Sequence, residues 1–133
     1  LGLGGLVSES ILILTTTGRK SGLKRETPIG YGFDEASNRY YLMAGWHGRT
    51  DWYRNALANP DVMIQIGKRK INCRAEKASD EDVAAQMLYA LQKEPAALDM
   101  WKHIADVDLE PTYESLLKAA PGFPSLWLLP VDA

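Results

Sequence analysis

Through most of the first half of the chain, apolar and polar residues alternate, which is the period of a β-strand with one buried face. "LVSESILILTT" (6–16) is rich in Ile and Leu and closes on threonines, so it predicts a buried strand. "KRETPIGYGFD" (24–34) alternates and meets a turn near Ala36, Ser37 and Asn38. "RYYLMAG" (39–45) follows, and these two segments are expected to pair as a hairpin. A second hairpin is expected over 62–78: Val62, Ile64 and Ile66 alternate with Met63 and Gln65, and Gly67–Lys68 supply the turn. Ile71, Cys73 and Ala75 then alternate with polar neighbours, which assigns Cys73 to the core. "SLWLLPVD" (125–132) reads as a last strand, with Pro130 placing its end at a sheet edge.

The period lengthens between the hairpins and again after residue 78. A short helix is expected from Thr50 as N-cap, with Asp51 in the first turn and Asn59–Pro60 as the stop. On it, Trp52 shares a face with Ala56, and Tyr53 with Leu57. Ser79 and Asp82 approximate a capping box ahead of Val83, Met87, Leu88 and Leu91 at helical spacing. Leu98, Trp101 and Ile104 suggest another helix, and Tyr113, Leu116, Leu117 and Ala120 a third that ends at Pro121–Gly122. Five or six strands, mostly hairpin-linked, with one crossover helix and helices in the C-terminal half, predict an α+β fold built on a small barrel of mostly antiparallel strands. With no repeat, low-complexity tract or linker, residues 1–133 are read as a single domain.

Composition narrows the function classes. Hydrophobic residues make up 46% of the 133, enough for a core, and no apolar run approaches the roughly 20 residues of a membrane span. The formal charge of −2 argues against wholesale nucleic-acid binding. The lone Cys73 forms no internal disulfide and fits a reducing cytoplasm. "LGLGGLVSES" lacks the charged and apolar regions of a signal peptide, and the missing initiator Met suggests a processed or truncated chain.

Against that acidic background, "TTTGRKSGLKRETP" (15–28) concentrates Arg19, Lys20, Lys24 and Arg25 around two glycines and Ser21. Gly18 and Gly22 permit backbone that aims N–H groups inward, as in an anion-binding nest, and Ser21 adds a hydroxyl. Arginines can grip phosphate or carboxylate with two parallel bonds, while lysines act as point charges. The plainer alternative, a solvated hairpin tip with ordinary surface charge, stays open on these residues alone. The glycine spacing is not that of a P-loop. His47 and His103 lie far apart, with no Cys or carboxylate at ligand spacing, so no metal site is expected. No nucleophile elbow stands out. Of Trp46, Trp52, Tyr53, Trp101 and Trp127, most are assigned to core and one or two to a pocket wall. An anion site with aromatics nearby and no acid–base or metal machinery suits a cofactor that brings its own chemistry.

"LTTTGRKSGLKRETPIGY", with "YYLMAGW" and "TDWYRNALANPDVMIQIG" after it, resembles the deazaflavin-dependent nitroreductase family, split β-barrel flavin/deazaflavin oxidoreductases that use coenzyme F-420. The likeness runs from about Ile11 to Ala78 and resumes at the closing "PSLWLLPV". It implies that Arg19, Lys20, Ser21 and Arg25 contact the cofactor's acidic tail of phosphate and glutamates. It implies that Thr27, Pro28 and Ile29 line the deazaflavin edge, as does the backbone of Ala44, Gly45, Trp46 and His47. Trp52, Tyr53 and Asn55 match the family's ring-side helix. The implied activity is hydride transfer from reduced F-420 to a quinone, an enone or a nitroaromatic. No catalytic residue is implied; Tyr53 and Tyr113 are the candidate proton donors. "GWHGRT" is shorter than the corresponding loop of many members, their N-terminal helix has no counterpart, and residues 95–120 depart from their pattern. A homodimer is left open. The rival readings are an FMN enzyme on the same barrel, a non-catalytic anion or cofactor carrier, and a nucleic-acid module.

Overall fold

The structure is a computed structural model that describes residues 11–44 and 49–131. The described residues fall into two compact units. The first holds residues up to 42, 51–77 and those from 126 onward; the second holds 43–50 and 78–125.

Seven strands form one sheet: β1 (Ile11–Thr17), β2 (Lys24–Gly30), β3 (Gly32–Asp34), β4 (Arg39–Met43), β5 (Asp61–Ile66), β6 (Arg69–Lys77) and β7 (Ser125–Pro130), in the spatial order β2-β1-β5-β6-β7-β4-β3. β1 pairs antiparallel with both β2 and β5, and β6 pairs antiparallel with β5 and β7. The alternation seen in the sequence is the alternation of burial. Leu12, Leu14 and Thr16 of β1 point inward, and Leu14 sits opposite Ile64, which sits opposite Ile71. Val62 faces Cys73, 1% exposed, so the cysteine is core as expected. Two residues, Gly67–Lys68, connect β5 and β6. Positive φ at Gly67 (60°) but not at Lys68 is the pattern of a type II′ turn, which suits the twist of a tight hairpin.

Three expectations change. Residues 24–34 are not one strand: the run breaks at Tyr31, so β2 pairs with β1 while β3 pairs with β4. The anticipated hairpin survives only as β3–β4, closed at Asn38 with φ 54°. The described residues therefore carry seven strands rather than five or six. β7 has β6 on one side and β4 on the other, and is not an edge strand; Pro130 is its last residue, where a missing N–H costs little. Residues 6–10 of the first expected strand lie outside the described residues.

Helix α1 (Asp51–Ala58) belongs to the first unit and stops where Asn59 N–H bonds to Asn55 C=O, one residue before Pro60. Its buried residues are Tyr53, Asn55 and Ala56, whereas Leu57, on the same side as Tyr53 by spacing, is exposed. Thr50 does not cap the helix: among the described residues the buried Thr50 hydroxyl has no hydrogen-bond partner.

The second unit holds α2 (Asp80–Lys93), α3 (Ala97–Ala105) and α4 (Tyr113–Ala119), then a single 3₁₀ turn at Ala120–Gly122. Ser79 caps α2, its Oγ accepting from Asp82 N–H at 3.0 Å. Thr112 caps α4 in the same way. Val83, Met87, Leu91, Leu116 and Phe123 are buried, with Trp101 edge-on to Phe123. Among the described residues no helix is long and apolar enough to cross a membrane.

Candidate functional site

The basic turn is the connection between β1 and β2. Its ends are tied by Gly18 N–H donating to Leu23 C=O at 2.8 Å, and Gly22 N–H donates to Gly18 C=O at 2.9 Å. Gly22 has φ +72°, a conformation that favours glycine. Gly18 packs closely on the turn: a Cβ there would stand 2.6 Å from Ser21 Oγ, and that hydroxyl would have to rotate away. That oxygen accepts the Leu23 N–H at 3.1 Å, which leaves the Ser21 hydroxyl proton to donate elsewhere.

Helix α1 holds the turn from one side. The Asn55 amide oxygen, on a residue 5% exposed, accepts from Arg19 N–H at 3.0 Å and from Arg19 Nη1 at 2.7 Å. Arg19 Nη2 reaches Asp51 Oδ1 at 3.2 Å. The nest expected of this turn is consequently small. Gly18, Arg19, Gly22 and Leu23 spend their N–H groups inside the protein, and Lys20 and Ser21 keep theirs.

Between the turn, the β1–β2 ladder and α1 lies an open cavity of about 470 Å³. Of the residues expected to bind a cofactor, Arg19, Lys20, Ser21, Arg25, Thr27, Trp52 and Asn55 line it together. Thr16, Gly18, Glu26 and Asp51 line it as well and were not anticipated. The signal for Thr16 and Arg25 was register: they sit opposite each other, as do Leu14 and Thr27, so these side chains share one face of the ladder. Glu26 pairs with Thr15, so its side chain belongs to the other face. Lys24 is directed away from the cavity, its Nζ bonded to Thr17 Oγ1 at 3.0 Å. Among the described residues Lys20 and Arg25 have no ion-pair partner.

The other candidates are not brought to this cavity. Pro28 is exposed and Ile29 half-buried, farther along β2. Tyr53 is buried on α1, and desolvation raises its phenol above the ordinary tyrosine value. Ala44 is buried in the second unit, where its N–H bonds to Pro124 C=O. Tyr113, 41% exposed, opens α4 in that unit. Gly45, Trp46 and His47 lie outside the described residues. Among the described residues no group of His, Cys, Asp and Glu could hold a metal ion.

The family model described as F420H(2)-dependent quinone reductase matches residues 2–106. The chain belongs to that family. It is 31% identical over 86 residues to an F420H(2)-dependent quinone reductase of Mycobacterium tuberculosis, an alignment covering 62% of this chain and 56% of that protein. A second, putative quinone reductase of the same organism is 36% identical over 87 residues, covering 63% of this chain and 71% of the relative. The chain thus spans little more than half the length of the first of these relatives. Two solved structures share the fold. One is an F420-H2 dependent reductase, with TM-score 0.62 and 24% identity, covering 90% of this chain and 93% of that one. The other is a pyridoxamine 5'-phosphate oxidase-related, FMN binding protein of Nostoc punctiforme, with TM-score 0.64 and 16% identity, covering 96% and 75%. The sheet is that of the split-barrel flavin and deazaflavin reductases, as the α+β expectation had it.

Proposed function

We propose that this chain is a reductase that binds reduced coenzyme F-420 and passes its hydride to a small activated acceptor, a quinone first and an enone or nitroaromatic next. The observation that carries the reading is the β1–β2 cavity. It gathers two unpaired cations, two unclaimed backbone N–H groups and a free hydroxyl proton within about 470 Å³. That donor set fits a ligand carrying several negative charges.

Lys20, Arg25 and Ser21 hold the acidic tail, and Arg19, already fixed by Asn55 and Asp51, adds its charge to the wall. Thr27, Pro28 and Ile29, with Trp52, take the ring side by the family resemblance. The bound deazaflavin supplies the hydride. The chain's own part is to bind and orient, which lowers the barrier by presenting donor and acceptor in reactive contact. Tyr53 and Tyr113 stay the candidate proton donors, neither of them lining the cavity; burial raises the Tyr53 phenol and so makes it a weaker acid than an ordinary tyrosine. The setting proposed is cytoplasmic. A homodimer is part of the proposal, and one of the solved structures with this fold is described as a domain-swapped dimer.

FMN is the second reading, because an FMN binding protein shares the fold. Its single phosphate leaves cations of this cavity without partners. Separate fluorescence titrations with F-420 and FMN test the choice. The expected result is far tighter binding of F-420; equal affinities would favour the flavin. Oxidation of the reduced cofactor with a quinone and with an enone, followed at steady state, then ranks the acceptors.

A further inference from the structure

Thr16 is 1% exposed and lines the cavity, yet among the described residues its hydroxyl has no hydrogen-bond partner. A buried hydroxyl without a partner loses its hydration and gains nothing in return. Such groups are rare in native proteins and call for a reason. The local fold offers no structural one. Thr16 is the last but one residue of β1, still within the ladder where its backbone pairs with Arg25, and valine would fill the same volume with equal preference for a strand. Its surroundings say what would satisfy it. The side chain directly opposite on the same face is Arg25, a cation without an ion-pair partner among the described residues. On the turn that closes the cavity, the unclaimed groups are the N–H donors of Lys20 and Ser21, the Ser21 hydroxyl proton and the Lys20 ammonium. The Thr16 oxygen could accept from such donors but none of them is bonded to it, and its own proton needs an acceptor; an oxygen that Arg25 also attracts is an anionic one.

We propose that Thr16 is a ligand-binding residue: its hydroxyl donates to a phosphate or carboxylate oxygen of the cofactor's tail, beside Arg25, and the unbound protein carries the hydroxyl unpaired. This rests on the F-420 reading above. It assigns the anchoring oxygen to the strand face as well as to the exposed turn.

The test compares wild type, Thr16→Val and Thr16→Ser by F-420 fluorescence titration and by thermal melting with and without the cofactor. Valine keeps the shape and deletes the hydroxyl. Without cofactor, Thr16→Val should melt at or above the wild-type temperature, because an unpaired polar group has been removed. It should bind F-420 about 10- to 150-fold more weakly, the loss of one hydrogen bond to a charged group. The cofactor should also raise its melting temperature less than it raises that of wild type. Thr16→Ser keeps the hydroxyl and should bind within about threefold of wild type. Wild-type affinity in Thr16→Val overturns the proposal. So does a lowered melting temperature of that variant without cofactor, which would mean that the hydroxyl already has a structural partner. If wild type itself fails to bind F-420, the cofactor reading falls and the Thr16 assignment falls with it; binding by wild type with no loss in Thr16→Val sinks the Thr16 assignment alone.

Discussion

Replacing Asn55 with alanine removes the buried oxygen through which α1 accepts two of its three bonds from Arg19 of the basic turn. Two bonds are lost: the Arg19 N–H at 3.0 Å and the Arg19 guanidinium at 2.7 Å. The first is a neutral bond worth about 0.5–1.5 kcal/mol, the second a charge-assisted one worth about 1.5–3 kcal/mol. The Arg19–Asp51 pair cannot replace them. Asp51 is 82% exposed at its side chain, and an ion pair so solvated contributes little. A loss of about 2–4 kcal/mol follows, and the open cavity, by admitting water to the abandoned N–H, favours the lower half. With an unfolding entropy of about 2.1 cal/mol/K per residue, a chain of 133 residues shifts by roughly 3.6 °C per kcal/mol, so the melting temperature should fall by about 7–14 °C. Asn55→Asp separates the two roles of this position. Its carboxylate still accepts both bonds, so stability should stay close to wild type. The added negative charge beside Arg19 should nevertheless weaken F-420 binding. Circular dichroism melts and fluorescence titration of both variants provide the readout. A melting temperature of Asn55→Ala within about 2 °C of wild type would refute the reasoning, because the turn would then not depend on α1.

Two further expectations concern charge. Lys20→Ala and Arg25→Ala should each weaken F-420 binding by about tenfold, one charge-assisted contact, and leave stability nearly unchanged because both side chains are exposed; a large fall in melting temperature with unaltered affinity would restore the view of the turn as ordinary surface. Burial raises the Tyr53 phenol, so the folded chain retains a proton that the unfolded chain has already released. That contribution to stability is intact below the ordinary phenol value of about 10 and is lost as pH rises from there through the folded value, so Tyr53→Phe should flatten the alkaline decline in melting temperature. An identical decline in the variant would assign it to another group.

What the sequence could show was set by the range of each physical signal. Strand alternation is local, and it marked the inward faces of β5 and β6 correctly, Cys73 included, while the Ile and Leu of β1 foretold burial without saying which face turns inward. It could not say which strand pairs with which. The segment 24–34 reads as one alternating run, yet Tyr31 divides it between two partners, β1 on one side and β4 on the other. The candidate site shows the same limit. The charges of Arg19, Lys20 and Arg25 and the two glycines were visible in one stretch, because charge and backbone freedom belong to single residues. The claim of α1 on the turn was not visible. Asn55 is 36 positions from Arg19, and the family resemblance implied a ring-side role for it, while its oxygen accepts from the Arg19 guanidinium. The nest was over-read for the same reason. Two glycines permit a run of inward N–H groups, but whether those groups stay free depends on partners elsewhere, and Asn55, Leu23, Gly18 and Ser21 take four of them. Thr16 illustrates the converse. Within "TTT" it is indistinguishable from its neighbours. Only the register that sets it opposite Arg25, and the burial that leaves its hydroxyl unpaired, separate it from Thr15 and Thr17. Residues that a site needs but the fold does not are therefore best sought where burial and bonding disagree, since a group that costs stability in the empty protein is retained for what it binds.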